Sequence, residues 1–368
     1  MATLMQASNQ WATRPADQRF TSLIDLRDYV ANVRAASSAK VLANRDIHAA
    51  PIQGDNHALA IVGPNGNAIP PTHWAFGQIA QLSGAPASYL RTLPAPIAAD
   101  CINYGLNRRD VEEVGLLLQR MPGEAASLTA ATGPNYGRVW NETVANAIIS
   151  RFGDGVTGDF RVPGIWGKAL TEVTSENTTL YASDRDMFVF LADETNKVTN
   201  LNRRDGEHGE MSRGVFFTNS EVGAGTLGVD TFIFDEVCQN RIVWGAKEFR
   251  SIRIRHTSGA PARWIEEAAP AIEAYSQSST LSITTALANA KAARLDKDKV
   301  SEWLASKRFT KSEVSAINAA HMADEGRPIE TVWDAVTGVT AAARAITYQD
   351  ARVNLERRGG ALLDLVAA

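Results

Sequence analysis

Between Ser127 and His256, runs of β-branched and aromatic residues recur, separated by glycine-rich or polar breaks. The runs read as strands over Ser127–Thr132, Ile165–Val173, Thr179–Ala182, Met187–Ala192, Arg213–Asn219, Val229–Val237 and Phe249–Arg255. Breaks this short cannot hold crossover helices, so the later strands must run up and down beside one another as an antiparallel meander. One helix interrupts the series. Its buried stripe is Val144, Ile148, Ile149 and Phe152, Asn141 is its expected cap, and Gly153 ends it.

The flanking regions carry a different pattern. Before about Arg120, helices are expected around Phe20–Val33 and after Thr72, with a strand at His57–Val62, while Val111–Leu118 fits strand or helix equally. From about Trp264 the strand signals vanish and helices fill the rest. Thr310 and Glu313 form a capping box, and Val332, Trp333, Val336, Val339, Ala343 and Ile346 share one apolar side. That side is expected to bury Trp333 against the sheet or a neighbouring subunit. The resulting expectation is an α+β fold: a mixed accessory region over 1–120, a β-rich core over 121–263 with a central antiparallel sheet backed by helices, and a helical region over 264–368. With 368 residues, 45% of them hydrophobic and 21% charged, the chain can build such a core.

Several classes of function lack support. No apolar run is long enough to span a bilayer and the first residues lack a secretory pattern, so a cytoplasmic protein with no membrane partner is expected. Cys101 and Cys238 are far apart, without CxxC spacing, and are read as reduced, buried thiols. The six histidines show no metal-binding spacing, and no GxSxG elbow occurs. Gly223, Gly225 and Gly228 match GxGxxG, but Val229–Phe234 reads as a strand where a nucleotide site needs a helix, so a turn between antiparallel strands is expected. Asp184 and Asp186 could hold magnesium, although a solvated turn is the plainer reading. No catalytic residue, metal ligand or cofactor is therefore assigned.

The net charge of −4 means that any nucleic-acid binding must come from a local patch. One basic strip stands out: Arg241, Lys247, Arg250, Arg253, Arg255 and His256, opposed only by Glu248 across that interval. Alternation in Ile252–Arg255 places isoleucines on one face and arginines on the other, with successive guanidiniums about 7 Å apart, a spacing suited to backbone phosphates. Tyr136, Trp244 and Phe249 are near such charges in sequence and could stack bases; Arg138, Arg161 and Lys168 are further candidates for the same groove. An ordinary solvated strand face beside core aromatics explains the same residues. Leu304–Ala320 could form a helix-turn-helix, or a plain helical hairpin.

Five separated stretches resemble a known family: QWATRPADQRF from Gln10, HWAFGQIAQLSGAPASYLRTLP from His73, FFTNSEVGAGTL from Phe216, CQNRIVWG from Cys238 and ARVNLERRGGALL from Ala351. They are similar to the bacterial domain-of-unknown-function family of phage/plasmid-like proteins, over nearly the whole chain. The resemblance implies a mobile-element setting and brings no catalytic residues with it. The element order also resembles the core of the single-strand annealing recombinases, an analogy of topology. The expected function is single-stranded DNA binding, with strand annealing, by a homo-oligomeric ring or filament during replication or recombination of a phage or plasmid. The alternatives are a metal-dependent nuclease or nucleotide-processing enzyme, and an interaction protein that counters host defence.

Overall fold

The computed structural model describes residues 18–163, 173–175, 178–200, 209–235, 241–242, 244, 252–277, 280–346 and 349–366. Its architecture is α+β, with antiparallel sheets backed by helices. The main sheet contains the successive neighbours Leu180–Ala182, Met187–Asp193, Gly209–Asn219 and Leu227–Asp235, the up-and-down order expected from the short breaks. Edge strand Ile252–Ile254 pairs with Leu227–Asp235 in the register Gly228↔Arg253. Arg19–Phe20 joins the sheet at the other side through Leu180–Ala182. Residues 165–172 and 249–251 of the expected strands lie outside the described residues.

Both faces of this sheet are covered, which explains its nearly continuous apolar runs. Leu180, Val189, Leu191, Val215, Phe217, Leu227, Val229 and Ile254 face the helices Leu23–Ala35 and Asn141–Phe152, together with Trp264, Ile272 and Tyr275. Tyr181, Phe188, Phe190, Phe216 and Phe232 face the other way, with Val353 of helix Gln349–Gly360 closing over them. Farther along, Met211, Ile233, Ile242 and Trp244 join the core of the C-terminal helices.

Helix Val332–Arg344 does not present one apolar side: it is buried almost all round, packed against helices Lys311–Glu325 and Gln349–Gly360. Trp333 falls on its more open side and is half-buried, with Lys291 Nζ 5.7 Å from the ring centroid. Leu304–Ala320 forms two helices, Val300–Ser306 and Lys311–Glu325, with Phe309 buried at the link and the capping box at Thr310 and Glu313 in place.

The N-terminal region has two small sheets. Glu113–Gln119 is a strand, resolving the ambiguity there, and it lies between Ser38–Ala43 and Ser127–Thr132. Strands His48–Pro51, Leu59–Val62 and Ala68–Ile69 form the other. Helices His73–Ser83 and Ala95–Arg108 cross so closely that a Cβ on Gly105 would sit 2.0 Å from the Ser83 carbonyl oxygen. Cys101, expected to be buried, is half-buried. Among the described residues no helix is long and apolar enough to cross a membrane.

His321, in helix Lys311–Glu325, is buried with neither ring nitrogen hydrogen-bonded, and it lies against Gly338. Burial holds its pKa below the ordinary 6.5, outweighing the pull of Asp334, Glu325 and Asp324. The folded state therefore binds this proton more weakly than the unfolded chain. Stability should be fully present above about pH 6.5 and fall as the pH drops through the folded pKa. Denaturant midpoints at pH 7.5 and pH 5 should show the loss, and His321→Leu should reduce it. To the slope that remains, His73 and His256, which burial also holds low, contribute in the same direction, and Glu221, which burial pushes up, in the opposite one. An unchanged pH slope in the variant would place the sensitivity elsewhere.

Candidate nucleic-acid interface

The segment 220–226 connects Gly209–Asn219 to Leu227–Asp235, so the glycine-rich stretch is the expected turn between antiparallel strands. It is held from several sides. Ser220 Oγ accepts the Ala224 amide at 2.9 Å and donates to the Arg185 carbonyl at 2.7 Å. Trp74 Nε1 and Gln78 Nε2 donate to the Val222 carbonyl at 3.0 and 2.8 Å. Gly223 has φ 84°, a left-handed conformation that favours glycine. At Gly228 the need is space: a Cβ would lie 2.6 Å from Thr218 Oγ1 and 2.8 Å from Arg253 Nη1.

Glu221, in the same turn, is buried. Its carboxylate accepts the Asn141 amide at 2.6 Å and Gln119 Nε2 at 2.8 Å. It thereby takes over the capping that Asn141 was expected to provide. The Asn141 side chain instead accepts from Asn219 Nδ2 at 2.8 Å, and Trp140 occupies the cap position without a side-chain bond. Burial pushes the Glu221 carboxyl up, against the opposing effect of its hydrogen bonds and of Arg138 and Arg34.

Tyr136 and Arg138 are committed to this turn. Tyr136 donates its hydroxyl to the Ser220 carbonyl at 2.8 Å and stacks on His256 with centroids 5.0 Å apart. Arg138 Nε donates to the Glu221 carbonyl at 2.8 Å, and its guanidinium lies over the Tyr136 and Trp140 rings. Burial raises the Tyr136 hydroxyl above its ordinary pKa. Both side chains brace the turn. Trp244 does not face a surface groove: it is buried beneath the C-terminal helices and donates Nε1 to Asp364 Oδ1 at 2.8 Å. Arg161 pairs with Glu194 at 2.8 Å, and its strand meets Met187–Asp193 at Ala192, the end away from the turn. The side chain of Arg241, and all of Lys168, Lys247 and Arg250, lie outside the described residues.

Arg253 and Arg255 do follow the alternation. Ile254 is buried and Ile252 packs at the core edge, while both arginines are exposed. Arg253 Nη2 reaches Asp230 Oδ2 at 2.6 Å, and Arg357 from helix Gln349–Gly360 bonds the same oxygen. The strip is thus opposed by a carboxylate on the adjacent strand, which position along the chain did not reveal. Arg185 is the third cation here, its guanidinium 5.1 Å from the Trp74 ring centroid and its Nε 3.4 Å from Asp186 Oδ2. Asp186 is not in a solvated turn; it is buried, with Ser183 Oγ 3.2 Å from its Oδ1. Among the described residues there is no group of three or more His, Cys, Asp or Glu that could hold a metal ion.

Arg185, Arg253 and Arg357 line one cavity of about 190 Å³, together with Thr218, Ser220 and Thr226. Asp186 is the one carboxylate in that lining. Arg185 and Arg357 were not singled out in the sequence: one is flanked by aspartates, and the other lies in a C-terminal helix far along the chain.

All the residues that line this cavity except Arg357 fall within a single matched region. Residues 171–354, half of the chain, match the family described as domain of unknown function (DUF932). The chain belongs to this family. Arg185 and Arg253 lie inside the matched region and Arg357 just beyond it. No curated protein and no solved structure matches the chain.

Proposed function

We propose that this protein binds single-stranded nucleic acid, with a backbone phosphate held in the cavity between Arg185, Arg253 and Arg357. The observation that carries this reading is the convergence of three guanidiniums, from three separate elements, on one cavity with two carboxylates beside them, Asp186 in the lining and Asp230 behind Arg253 and Arg357. Guanidiniums recognise phosphate oxygens through paired, charge-assisted hydrogen bonds, and the hydroxyls of Thr218, Ser220 and Thr226 add neutral partners. Arg255, exposed just beyond the same edge strand, extends the charge past its end. Few phosphates can be engaged by one copy, so useful affinity calls for several copies along a strand, as a ring or filament in replication or recombination of a phage or plasmid.

The test is binding of single-stranded and duplex oligonucleotides over a salt series, with and without magnesium. Replacing Arg253 by alanine should leave the fold intact, because Arg357 still holds Asp230. It should flatten the slope of log affinity against log salt by about 0.7, and Arg253→Ala with Arg255→Ala by about 1.4. Unrelated sequences should lose affinity equally. Folded variants that bind with the wild-type slope would exclude this edge as the interface, and magnesium-dependent cleavage would favour a nuclease instead.

A further inference from the structure

A second groove, outside the cavity described above, lies in the N-terminal region between helices Ala87–Leu90 and Ala95–Arg108. Its volume is about 540 Å³, and no carboxylate lines it. Tyr89 and Tyr104 stand at its walls with 59% and 67% of their surfaces exposed, a high exposure for aromatic side chains that the fold does not need for packing. Arg108 and Arg109, also in the lining, are exposed and make no ion pair among the described residues. Exposed aromatics beside unpaired guanidiniums match the chemistry of a single strand, with bases on the rings and phosphates on the cations.

Shared and adjoining lining residues connect this groove to the proposed phosphate cavity. Arg109 lines both it and a middle groove that extends to Tyr136 and Gly223. Gly223 begins the tip of the turn whose next residues, Ala224 and Gly225, line the Arg185–Arg253–Arg357 cavity. The middle groove also carries Glu112 and Glu113, which repel phosphate. Attraction is therefore concentrated at the two ends.

We infer that the Tyr89–Tyr104 groove is a second contact for the same single strand, so that each protein copy grips the strand at two points separated by a weakly binding stretch. The inference rests on the reading of the arginine cavity as a phosphate site. Two linked contacts raise affinity only when the ligand can span both, so affinity should rise stepwise with oligonucleotide length.

Fluorescence anisotropy with labelled oligothymidylates of increasing length, at low salt, tests this on the full chain. Wild type should show the step. Tyr89→Ala with Tyr104→Ala should abolish it, weakening long oligonucleotides by roughly tenfold or more while short ones bind as before. The corresponding phenylalanine variants should keep the step, because stacking needs the ring and not the hydroxyl. Retained short-oligonucleotide binding serves as the folding control. Wild type that binds short oligonucleotides without a step, or an alanine variant that keeps it, overturns the second contact and leaves the arginine cavity standing. Wild type that binds at no length overturns both.

Discussion

Replacing Arg213 by methionine should cost about 3–5 kcal/mol of stability, the range seen when one partner of a buried ion pair is removed. Arg213 and Asp193 have side chains 1% and 0% exposed, joined by Nε and Oδ2 at 2.9 Å. The guanidinium also donates to the Tyr275 carbonyl at 3.3 Å and lies over the Tyr275 ring, whose hydroxyl donates to the Gly214 carbonyl at 3.0 Å. This cluster ties strand Gly209–Asn219 to helix Ala269–Gln277 from inside the core. Methionine fills much of the same volume, so the loss comes from the Asp193 carboxylate left without its cation, not from a cavity. Asp193 would still accept the amides of Thr195 and Asn196 at 3.1 and 3.0 Å. Adding Asp193→Asn should therefore recover a large part of the loss, since the amide keeps an acceptor for those bonds and carries no charge. Urea denaturation at low and high salt checks the argument: the effect should be nearly independent of salt, because buried charges are poorly screened. A loss below about 1 kcal/mol would mean that water reaches the pair.

The sheet order was legible because its signals are local. Period-two alternation in Ile252–Arg255 depends on neighbouring residues alone, and the short connections between successive strands exclude crossovers. Burial at a distance was not legible. Trp244 and Tyr136 sit near basic residues in the chain, yet their polar atoms are taken by Asp364 and by the Ser220 carbonyl. Arg161 is paired with Glu194, a residue distant from it in the chain. The arginine-lined cavity depends on contacts between residues that no spacing rule connects: Arg185 from a hairpin turn, Arg253 from an edge strand and Arg357 from the C-terminal helix. Helix Val332–Arg344 shows the same limit, since its threonines and alanines became core only once helices packed on both sides.

The carboxylate shared by Arg253 and Arg357 gives a test in which stability and binding should move in opposite directions. Asp230 is nearly buried, its side chain 5% exposed, whereas Arg253 and Arg357 retain 34% and 38% exposure toward the cleft. In the free protein Asp230 occupies guanidinium donors that a phosphate would otherwise use, so it stabilises the fold and competes with the ligand. Asp230→Asn keeps the shape but removes the charge, leaving two guanidiniums facing each other. Stability should fall by about 1–3 kcal/mol, the cost of weakening charge-assisted hydrogen bonds at a buried acceptor. Oligonucleotide affinity at low salt should rise by about tenfold, because one negative charge beside the site is worth on the order of 1–4 kcal/mol at a few ångströms. A bound phosphate backbone would then neutralise the arginines in place of Asp230. Saturating oligonucleotide should accordingly raise the variant's thermal midpoint more than that of wild type, since ligand at a hundred times Kd adds about 2.7 kcal/mol and the variant has the lower Kd. Thermal unfolding with and without oligonucleotide, alongside direct binding, reads both quantities. If affinity falls together with stability, Asp230 shapes the arginines for some other role, and the phosphate reading of this cavity is wrong.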